Sequence, residues 1–289
     1  MINSKELLKE TENGLTNIKK IKPLTQCITN IVTSNDCANA VLTVGGSPMM
    51  ADDAEEEEEV VGINNALEIN IGKLSKDQRE AMFVACKKAN EENIPITLDP
   101  VGVGISTLRN EVVLKIINNY ELASIRGNMS EIKTIARLIG IINEETIAKG
   151  VDVADDDIIS KDNLKRNGKI VKDLANQLNT IVFASGPIDI ISDGENTYTI
   201  ENGSDMMPRI TGSGCMLSAV VAAFIGSNKP LIGVITAGLT TAIAGEIAGE
   251  YCKENNLGTG NFRAYFIDEL YKMNYETIKK MAKFNSLEI

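Results

Sequence analysis

The chain has 289 residues and a formal charge of −11, from 29 basic and 40 acidic side chains. Its 43% hydrophobic and 24% charged composition argues against disorder. The acidic balance argues against a general nucleic-acid binder, which needs a basic face. Histidine is absent, which excludes a Ser-His-Asp triad and a histidine metal site and leaves acid–base chemistry to Asp, Glu, Cys, Lys or Tyr.

The cysteines and the first residues indicate a compartment. There are five cysteines, an odd number, and no CxxC spacing. This pattern is typical of free thiols in a reducing cytosol, not of a disulfide framework or a zinc site. The segment MINSKELLKE is charged where a signal peptide would be apolar. We therefore expect a cytoplasmic protein.

The first part of the chain predicts two helices on either side of a β-branched strand segment. Residues Lys5–Ile21 have the apolar spacing of an amphipathic helix. Thr33-Ser34-Asn35 can cap the second helix, which Gly45-Gly46-Ser47-Pro48 ends. A short strand over Pro48–Ala51 follows. We expect the acidic run Glu55–Glu59 to be a solvated helix face and not a metal site, because successive glutamates point around the whole helix.

Strands and helices then alternate, which predicts a mostly parallel sheet with helices on both faces. An antiparallel hairpin and three helices are expected to complete the chain. With no linker or repeat in between, a single α/β domain over residues 1–289 is the simplest prediction. The predicted strands are Leu67–Ile71, Ile94–Asp99, Leu122–Arg126, Thr180–Ser185, Ile188–Ser192 and Thr197–Ile200, and the predicted helices are Lys76–Asn90, Arg109–Asn119, Ser130–Ile139, Leu164–Leu178 and about 213–226, 230–253 and 262–283.

Two uncharged stretches, Ile210–Asn228 and Pro230–Gly245, are long enough to be considered as membrane spans. Both are interrupted by Gly, Ser and Thr, and Lys229 with Pro230 separates them. We expect buried helices of the core and no membrane partner.

Four of the predicted strands end on a glycine beside a polar side chain. Ligands of parallel sheets bind at the carboxyl ends of the strands. Turn chemistry alone explains any one of these ends, but four together favour a ligand site. The segments are Asn70-Ile71-Gly72, Asp99-Pro100-Val101-Gly102, Arg126-Gly127-Asn128 and Ser185-Gly186.

The sharpest local signal is Thr211-Gly212-Ser213-Gly214-Cys215 before the apolar segment MLSAVVAAF. Two glycines that open a helix leave backbone N–H groups pointing outward, and these donors favour an anion together with the positive helix end. The motif lacks the Gly-Lys-Ser/Thr ending of a Walker A loop. The alternative is a tight loop that leads into a packed core helix.

Cys215 is placed in the first turn of this predicted helix. The helix end is expected to lower the pKa of a thiol at this position, which would suit a base. The alternative is a small buried residue without a chemical role.

Asn128 and Glu131 are three residues apart at a predicted helix start, so they share a face. With Asp99 they could organise Mg²⁺ through its waters beside phosphates. The alternative is that Asn128 caps the helix and Glu131 is a first-turn carboxylate favoured by the helix dipole.

Taken together, the chain resembles hydroxyethylthiazole kinase, a family of the ribokinase-like superfamily. The Cys ending of the glycine motif is specific, because most ribokinase-like sugar and vitamin kinases carry Asp there. The resemblance spans about residues 24 to 265. Its segments are ITNIVTSNDCAN (28–39), GGSPMM (45–50), NIGKLS (70–75), LDPVGV (98–103), IRGNMSEI (125–132), KGVD (149–152) and TGSGC (211–215).

The resemblance implies a function and a site. The family phosphorylates the alcohol of 4-methyl-5-(2-hydroxyethyl)thiazole with ATP and Mg²⁺ in thiamine biosynthesis or salvage, as a trimer with active sites at subunit interfaces. Cys215 falls on the catalytic position, and Asp99 and Glu131 are expected to hold the metal. The residues expected at the thiazole are Met50, Gly212, Asn30 and Asn35, and those expected at ATP are Arg126, Ser185, Asn128 and Gly214.

Two departures from the family pattern concern substrate fit. The pair Gln26-Cys27 stands where the family usually has His before the Ile-Thr-Asn segment, and Lys73 replaces a usual Thr. Two other functions stay open. One is a nucleotide-dependent dehydratase on the same fold, which normally carries Asp where this chain has Cys215. The other is a non-catalytic nucleotide or thiazole sensor.

Overall fold

The computed structural model describes residues 3–142 and 158–289. Strands in these ranges form one sheet in the order β2-β1-β3-β4-β5-β6-β7-β8-β9. Strands β1 to β6 pair in parallel, and β6 to β9 pair antiparallel. The predicted mostly parallel sheet is confirmed. The strands are β1 Leu24–Ile28, β2 Ser47–Met49, β3 Ala66–Asn70, β4 Ile96–Asp99, β5 Ser124–Asn128, β6 Ile181–Ser185, β7 Asp189–Ser192, β8 Thr197–Ile200 and β9 Phe284–Ser286.

Helices cover both faces of the sheet, as predicted. Apolar side chains of α1, α2 and α8 to α11 form the core on one face, and those of α3 to α7 form the core on the other. The helices are α1 Ser4–Ile21, α2 Ser34–Val44, α3 Glu57–Val61, α4 Lys76–Glu91, α5 Thr107–Asn119, α6 Met129–Leu138, α7 Leu164–Leu178, α8 Ser213–Ile225, α9 Pro230–Glu254, α10 Thr259–Lys272 and α11 Tyr275–Met281.

Helix α8 lies across β3 and β4 and runs antiparallel to them. Ser218, near its start, reaches Asp99, where β4 ends. Gly226, just beyond its end, lies against Ala66, where β3 begins. The helix is apolar on every side and is buried from Cys215 to Ile225, as expected of a core helix. Its amino terminus therefore faces the carboxyl ends of the parallel strands.

Both uncharged stretches form helices in the core. In the described part of the chain, α9 is long and apolar enough to cross a membrane, but 83% of its most apolar stretch is buried inside the fold. It packs against α1, α8 and α10.

The end of the chain differs from the prediction. The predicted helix over 262–283 is two helices, because Met273 leaves the helical conformation and the Asn274 side chain accepts a hydrogen bond from the Thr277 N–H, capping α11. Strand β9 then pairs with β8 at the sheet edge. The sequence does not predict β9. The strand has only three residues, two of them exposed, so it shows no alternation of buried and exposed side chains.

The acidic run is only partly a solvated face, so that prediction is wrong for one residue. Glu57 is fully buried and accepts a hydrogen bond of 2.6 Å from Gln26 Nε2, whereas Glu58 and Glu59 are exposed. Asn64 Nδ2 donates to Gln26 Oε1 at 2.8 Å. Gln26 on β1 therefore holds the segment after β2 through these two hydrogen bonds. It is one of the two departures from the family pattern.

The Glu57 carboxyl makes stability depend on pH. Burial raises its pKa from 4.5 to about 7, against the lowering effect of the Gln26 hydrogen bond. A carboxyl whose pKa is raised in the fold stabilises the protein below its unfolded pKa, and this stability is lost as pH rises towards 7. Glu57→Gln keeps an acceptor for Gln26 and removes the titration. We expect it to be about 1–2 kcal/mol more stable than the parent at pH 8, with the difference vanishing below about pH 5.

Chemical denaturation at pH 5 and pH 8 measures this difference. The exposed neighbour Glu58→Gln is the matched control and is expected to match the parent at both pH values. A Glu57→Gln protein that is less stable than the parent at pH 8 contradicts the assignment.

Candidate active site

The carboxyl ends of the central strands bring several predicted site residues together. Asn70 at the end of β3 is in register with Asp99 at the end of β4, and Asn128 at the end of β5 is in register with Ser185 at the end of β6. The sequence pattern predicted this edge as the ligand site, because parallel strands align their carboxyl ends.

The glycine loop approaches this edge from α8. Gly212 has φ +85°, and a Cβ there would lie 2.5 Å from Thr33 Cγ2. A Cβ on Gly214 would lie 2.7 Å from Arg126 Nη1. Position 212 therefore favours glycine for its backbone conformation and its close approach to Thr33, and a side chain at position 214 would have to displace the Arg126 guanidinium. Gly212 has no side chain to cap α8, so the first N–H groups of the helix are left for another acceptor.

Asp99 is fully buried beneath this helix end. Its Oδ2 accepts hydrogen bonds from Ser218 Oγ at 2.8 Å and Asn70 Nδ2 at 3.0 Å. Its Oδ1 has no hydrogen-bond partner among the residues described. Burial raises the pKa of the carboxyl, and Arg126, 4.0 Å away, opposes the rise. A cation facing Oδ1 would satisfy the unpaired oxygen.

Glu131 and Asn128 form a capping box at the start of α6, which is the alternative to a metal site that the sequence left open. Its Oε2 accepts from the Asn128 N–H at 2.8 Å, and Asn128 Oδ1 accepts from the Glu131 N–H at 2.9 Å. Its Oε1 accepts from the Gly102 N–H at 2.9 Å. Burial and then the Asp99 charge raise its pKa to about 7. The capping box therefore holds a second carboxylate close enough to Asp99 to repel it.

Asp99 and Glu131 are two carboxylates that could contribute to a metal site at this edge. In residues 3–142 and 158–289, no group of three or more Cys, Asp or Glu side chains could enclose an ion. A Mg²⁺ ion here would take most of its ligands from water and phosphate, as magnesium commonly does. The unpaired Asp99 Oδ1 fits such an ion.

Cys215 lies in the first turn of α8 beside Asn30, whose Nδ2 is 3.5 Å from the sulfur. The expectation that the helix end lowers the pKa of this thiol is wrong. Burial, together with the Asp99 charge, raises its pKa to about 11. Cys215 is only 9% exposed, and burial disfavours the charged thiolate.

Arg126 and Ser185 meet on the other side of the loop. Arg126 Nη2 donates to Ser185 Oγ at 2.6 Å, and Arg126 is buried. Its Nε has no partner within the described residues. A buried guanidinium with a free donor, next to Gly214, is suited to an anionic ligand.

The predicted thiazole residues are only partly brought together. Asn30 is buried between Asn70 and Cys215, and Gly212 is in the loop. Met50 lines a cleft of about 190 Å³. Asn35 is exposed on α2, where it accepts a hydrogen bond from Asn39, so the structure does not bring it to this cluster. Other residues lining the cleft are Cys27, Thr29, Ile31, Ser34, Asp52, Lys73 and Gln78.

The segment 149–152 of the resemblance lies outside the described residues. It carried no predicted site residue.

Three residues of this cluster were not predicted as site residues. In the sequence, Asn70 stands out only as part of a strand end, and Ser218 gives no signal because a serine in an apolar helix is common. Glu68 is fully buried on β3, and neither of its oxygens has a hydrogen-bond partner in the described chain. Burial and Asp99 raise its pKa well above the usual value, which favours the neutral acid. A charged residue inside a strand that is buried throughout was the available signal.

Comparisons with known proteins identify the family of the chain. The family model described as "Hydroxyethylthiazole kinase family" matches residues 15–276. A hydroxyethylthiazole kinase from Methanobrevibacter smithii is 56% identical over 278 residues, covering 96% of this chain and 97% of that protein. The solved structure of a hydroxyethylthiazole kinase protein from Pyrococcus horikoshii OT3 is 33% identical, with a TM-score of 0.83 over 97% of this chain and 100% of that chain.

A more distant structure supports the fold alone. A ribokinase-like superfamily protein from Enterococcus faecalis is 11% identical, with a TM-score of 0.56 over 94% of this chain and 95% of that one. The resemblance inferred from the motifs is thus confirmed at the level of family and fold: the chain belongs to the hydroxyethylthiazole kinase family and has its ribokinase-like fold.

Proposed function

We propose that this protein transfers the γ-phosphoryl group of ATP to the hydroxyl of 4-methyl-5-(2-hydroxyethyl)thiazole, in thiamine biosynthesis or salvage. The observation that carries the proposal is the glycine loop at the start of α8, with Cys215 and Asn30 on one side and Arg126 on the other. The backbone N–H groups of the loop can bind the transferring phosphate. Cys215 and Asn30 can contact the alcohol on one side of it, and the Arg126 guanidinium can contact the nucleotide on the other.

The roles follow from the surroundings of each residue. The N–H groups of the loop from Gly212 to Cys215 would stabilise the charge on the transferring phosphoryl group. Arg126 and Ser185 would hold the phosphates of ATP, with Asn128 nearby. Met50, Asn30 and Gly212 would bind the thiazole alcohol. The exposed Asn35 would contribute only at the solvent-facing end of the thiazole site.

Magnesium fits the two carboxylates. Asp99 and Glu131 would hold Mg²⁺, which supplies positive charge to the oxygens of the phosphates. Asp99 offers an unpaired buried oxygen, and the pKa of Glu131 is raised partly by the Asp99 charge. The charge of a divalent ion held by these residues would offset the repulsion between the two carboxylates.

Two other functions predict different behaviour. A dehydratase would consume ATP only with a hydrated nicotinamide cofactor, and Cys215 in place of its usual Asp speaks against it. A sensor would bind nucleotide or thiazole without consuming ATP. An ATP-consumption screen over thiazole, pyrimidine and pyridoxal alcohols is the experiment that tests the proposal. We expect turnover with the thiazole alcohol; consumption only with another alcohol, or with none, contradicts it.

Cys215 is the candidate base, or the group that orients the hydroxyl. Because the transition state is largely dissociative, early deprotonation is unnecessary, and the raised pKa keeps the thiol protonated at neutral pH. We expect Cys215→Ala to lower kcat without eliminating it, and Cys215→Asp to stay active and to equal or exceed the parent. Steady-state kinetics of the three proteins across pH, at saturating ATP, measure this.

Two results count against this role. If Cys215→Ala matches the parent at every pH, the residue only packs. If Cys215→Asp folds and binds the thiazole but is inactive, the geometry differs from that of the relatives that carry Asp.

We also propose that the single domain assembles as a cytoplasmic homotrimer with active sites at subunit interfaces. Ile31 and Val32 directly follow Asn30 and are 74% and 72% exposed, and exposed apolar side chains beside a site are suited to a neighbouring copy. Sedimentation at micromolar concentration is expected to give three times the 31.3 kDa mass of the chain. A species of monomer mass alone contradicts the trimer.

A further inference from the structure

The side-chain amide of Asn70 hydrogen-bonds to Asp99, on the metal side of the candidate site, and to Asn30, on the alcohol side. It is fully buried at the end of β3. Its Nδ2 donates to Asp99 Oδ2 at 3.0 Å, and its Oδ1 accepts from Asn30 Nδ2 at 3.4 Å and from the Gly72 N–H at 2.9 Å. Since the amide is planar, turning it breaks the contacts at both ends together.

On the alcohol side, the amide of Asn30 has a fixed orientation. Its Oδ1 accepts from the Thr33 N–H at 3.2 Å, which leaves Nδ2 facing Asn70 Oδ1 and the Cys215 sulfur, at 3.4 and 3.5 Å. Asn70 therefore supplies the acceptor that keeps this N–H₂ group directed towards the thiol.

On the metal side, Asp99 is held through one oxygen only. Asn70 and Ser218 both donate to Oδ2, and Oδ1 has no hydrogen bond to any described residue. Two donors on one oxygen fix the carboxylate plane and leave the other oxygen open, which is the arrangement expected of partners that orient a metal ligand.

We propose that Asn70 is a positioning residue for phosphoryl transfer, which sets Asp99 for the cation and Asn30 for Cys215 at the same time. This inference rests on the proposed kinase function. Ser218 also donates to Asp99 but does not contact Asn30. It therefore provides a control that changes only the metal side of the site.

The test compares Asn70→Ser with Ser218→Ala. A serine at position 70 can still accept from the Gly72 N–H, as serine does in such turns, but its short side chain loses the contacts with Asp99 and Asn30. Mn²⁺ binding to the enzyme with ADP, measured by electron paramagnetic resonance, reports on Asp99 without turnover. Steady-state kinetics at saturating Mg²⁺ and ATP report on the alcohol side, and thermal unfolding reports the folded fraction.

For Asn70→Ser we expect the Kd of Mn²⁺ to rise by about tenfold and kcat per folded molecule to fall by about 10–10²-fold. The KM of the thiazole alcohol should change little. For Ser218→Ala we expect the same rise in Kd and a smaller fall in kcat than for Asn70→Ser, because Ser218 contacts Asp99 but not Asn30.

Two results overturn the proposal. The first is an Asn70→Ser protein with parental Mn²⁺ affinity. The second is one whose loss of kcat equals its loss of folded protein, as for a residue that only stabilises the turn. If the parent does not phosphorylate the thiazole, the proposed function fails, and the Mn²⁺ measurement still decides whether Asn70 positions Asp99.

Discussion

Gly214→Val is expected to abolish phosphoryl transfer in a protein that still folds. The glycine lies against Arg126, and an added Cβ would be 2.7 Å from its Nη1. A valine side chain would displace the guanidinium from Ser185 and would also block close approach of a phosphate to the N–H groups of the loop. The loss of a single such donor costs about 10²–10³-fold in rate, and this change removes the guanidinium contact as well.

The matched control is Gly260→Val. A Cβ at Gly260 meets nothing within 4 Å, so the parental rate is expected. ATP turnover and circular dichroism on both proteins separate a local effect from unfolding. A folded Gly214→Val protein that retains its activity refutes the role of the loop as a phosphate site.

Glu131→Gln is expected to reduce turnover by about 10²-fold, with a much smaller effect on thiazole binding. The substitution removes the negative charge that would hold Mg²⁺ with Asp99. A glutamine can keep only part of the capping box with Asn128 and the bond to Gly102, so we also expect stability to fall by about 1 kcal/mol. Kinetics over a range of Mg²⁺ concentrations, with thiazole binding by calorimetry, measure the two effects separately.

The exposed Glu111→Gln on the neighbouring α5 is the control and is expected to match the parent. Equal losses of turnover and thiazole affinity in Glu131→Gln, or no loss of either, count against a metal ligand at this position.

The central architecture could be predicted because alternation of strands and helices leaves strong local signals. The amphipathic pattern of α1, the strand ends at Asn70 and Asp99, and the glycines before α8 were all visible in the sequence. Parallel strands then bring their carboxyl ends to one edge without further information. The α/β fold and the clustering of these strand ends at one edge of the sheet therefore follow from the pattern alone.

The electrostatic state of the site could not be predicted in the same way. The pKa of Cys215 depends on how deeply α8 is buried and on its distance from Asp99, and both are tertiary properties. The acidic run predicts that Glu57 is solvated, and only its tertiary hydrogen bond shows that it faces Gln26. Asn70 likewise has the sequence context of a turn residue, and its contacts with Asp99 and Asn30 are tertiary.

The most direct test of the central claim is the identity of the phosphorylated product. The protein is incubated with ATP, Mg²⁺ and 4-methyl-5-(2-hydroxyethyl)thiazole, and the thiazole phosphate monoester and ADP are quantified by mass spectrometry. We expect the two products to accumulate in equal amounts, and neither to form when the alcohol is omitted. Formation of ADP without a thiazole phosphate would contradict the claim that this site transfers phosphate to the alcohol.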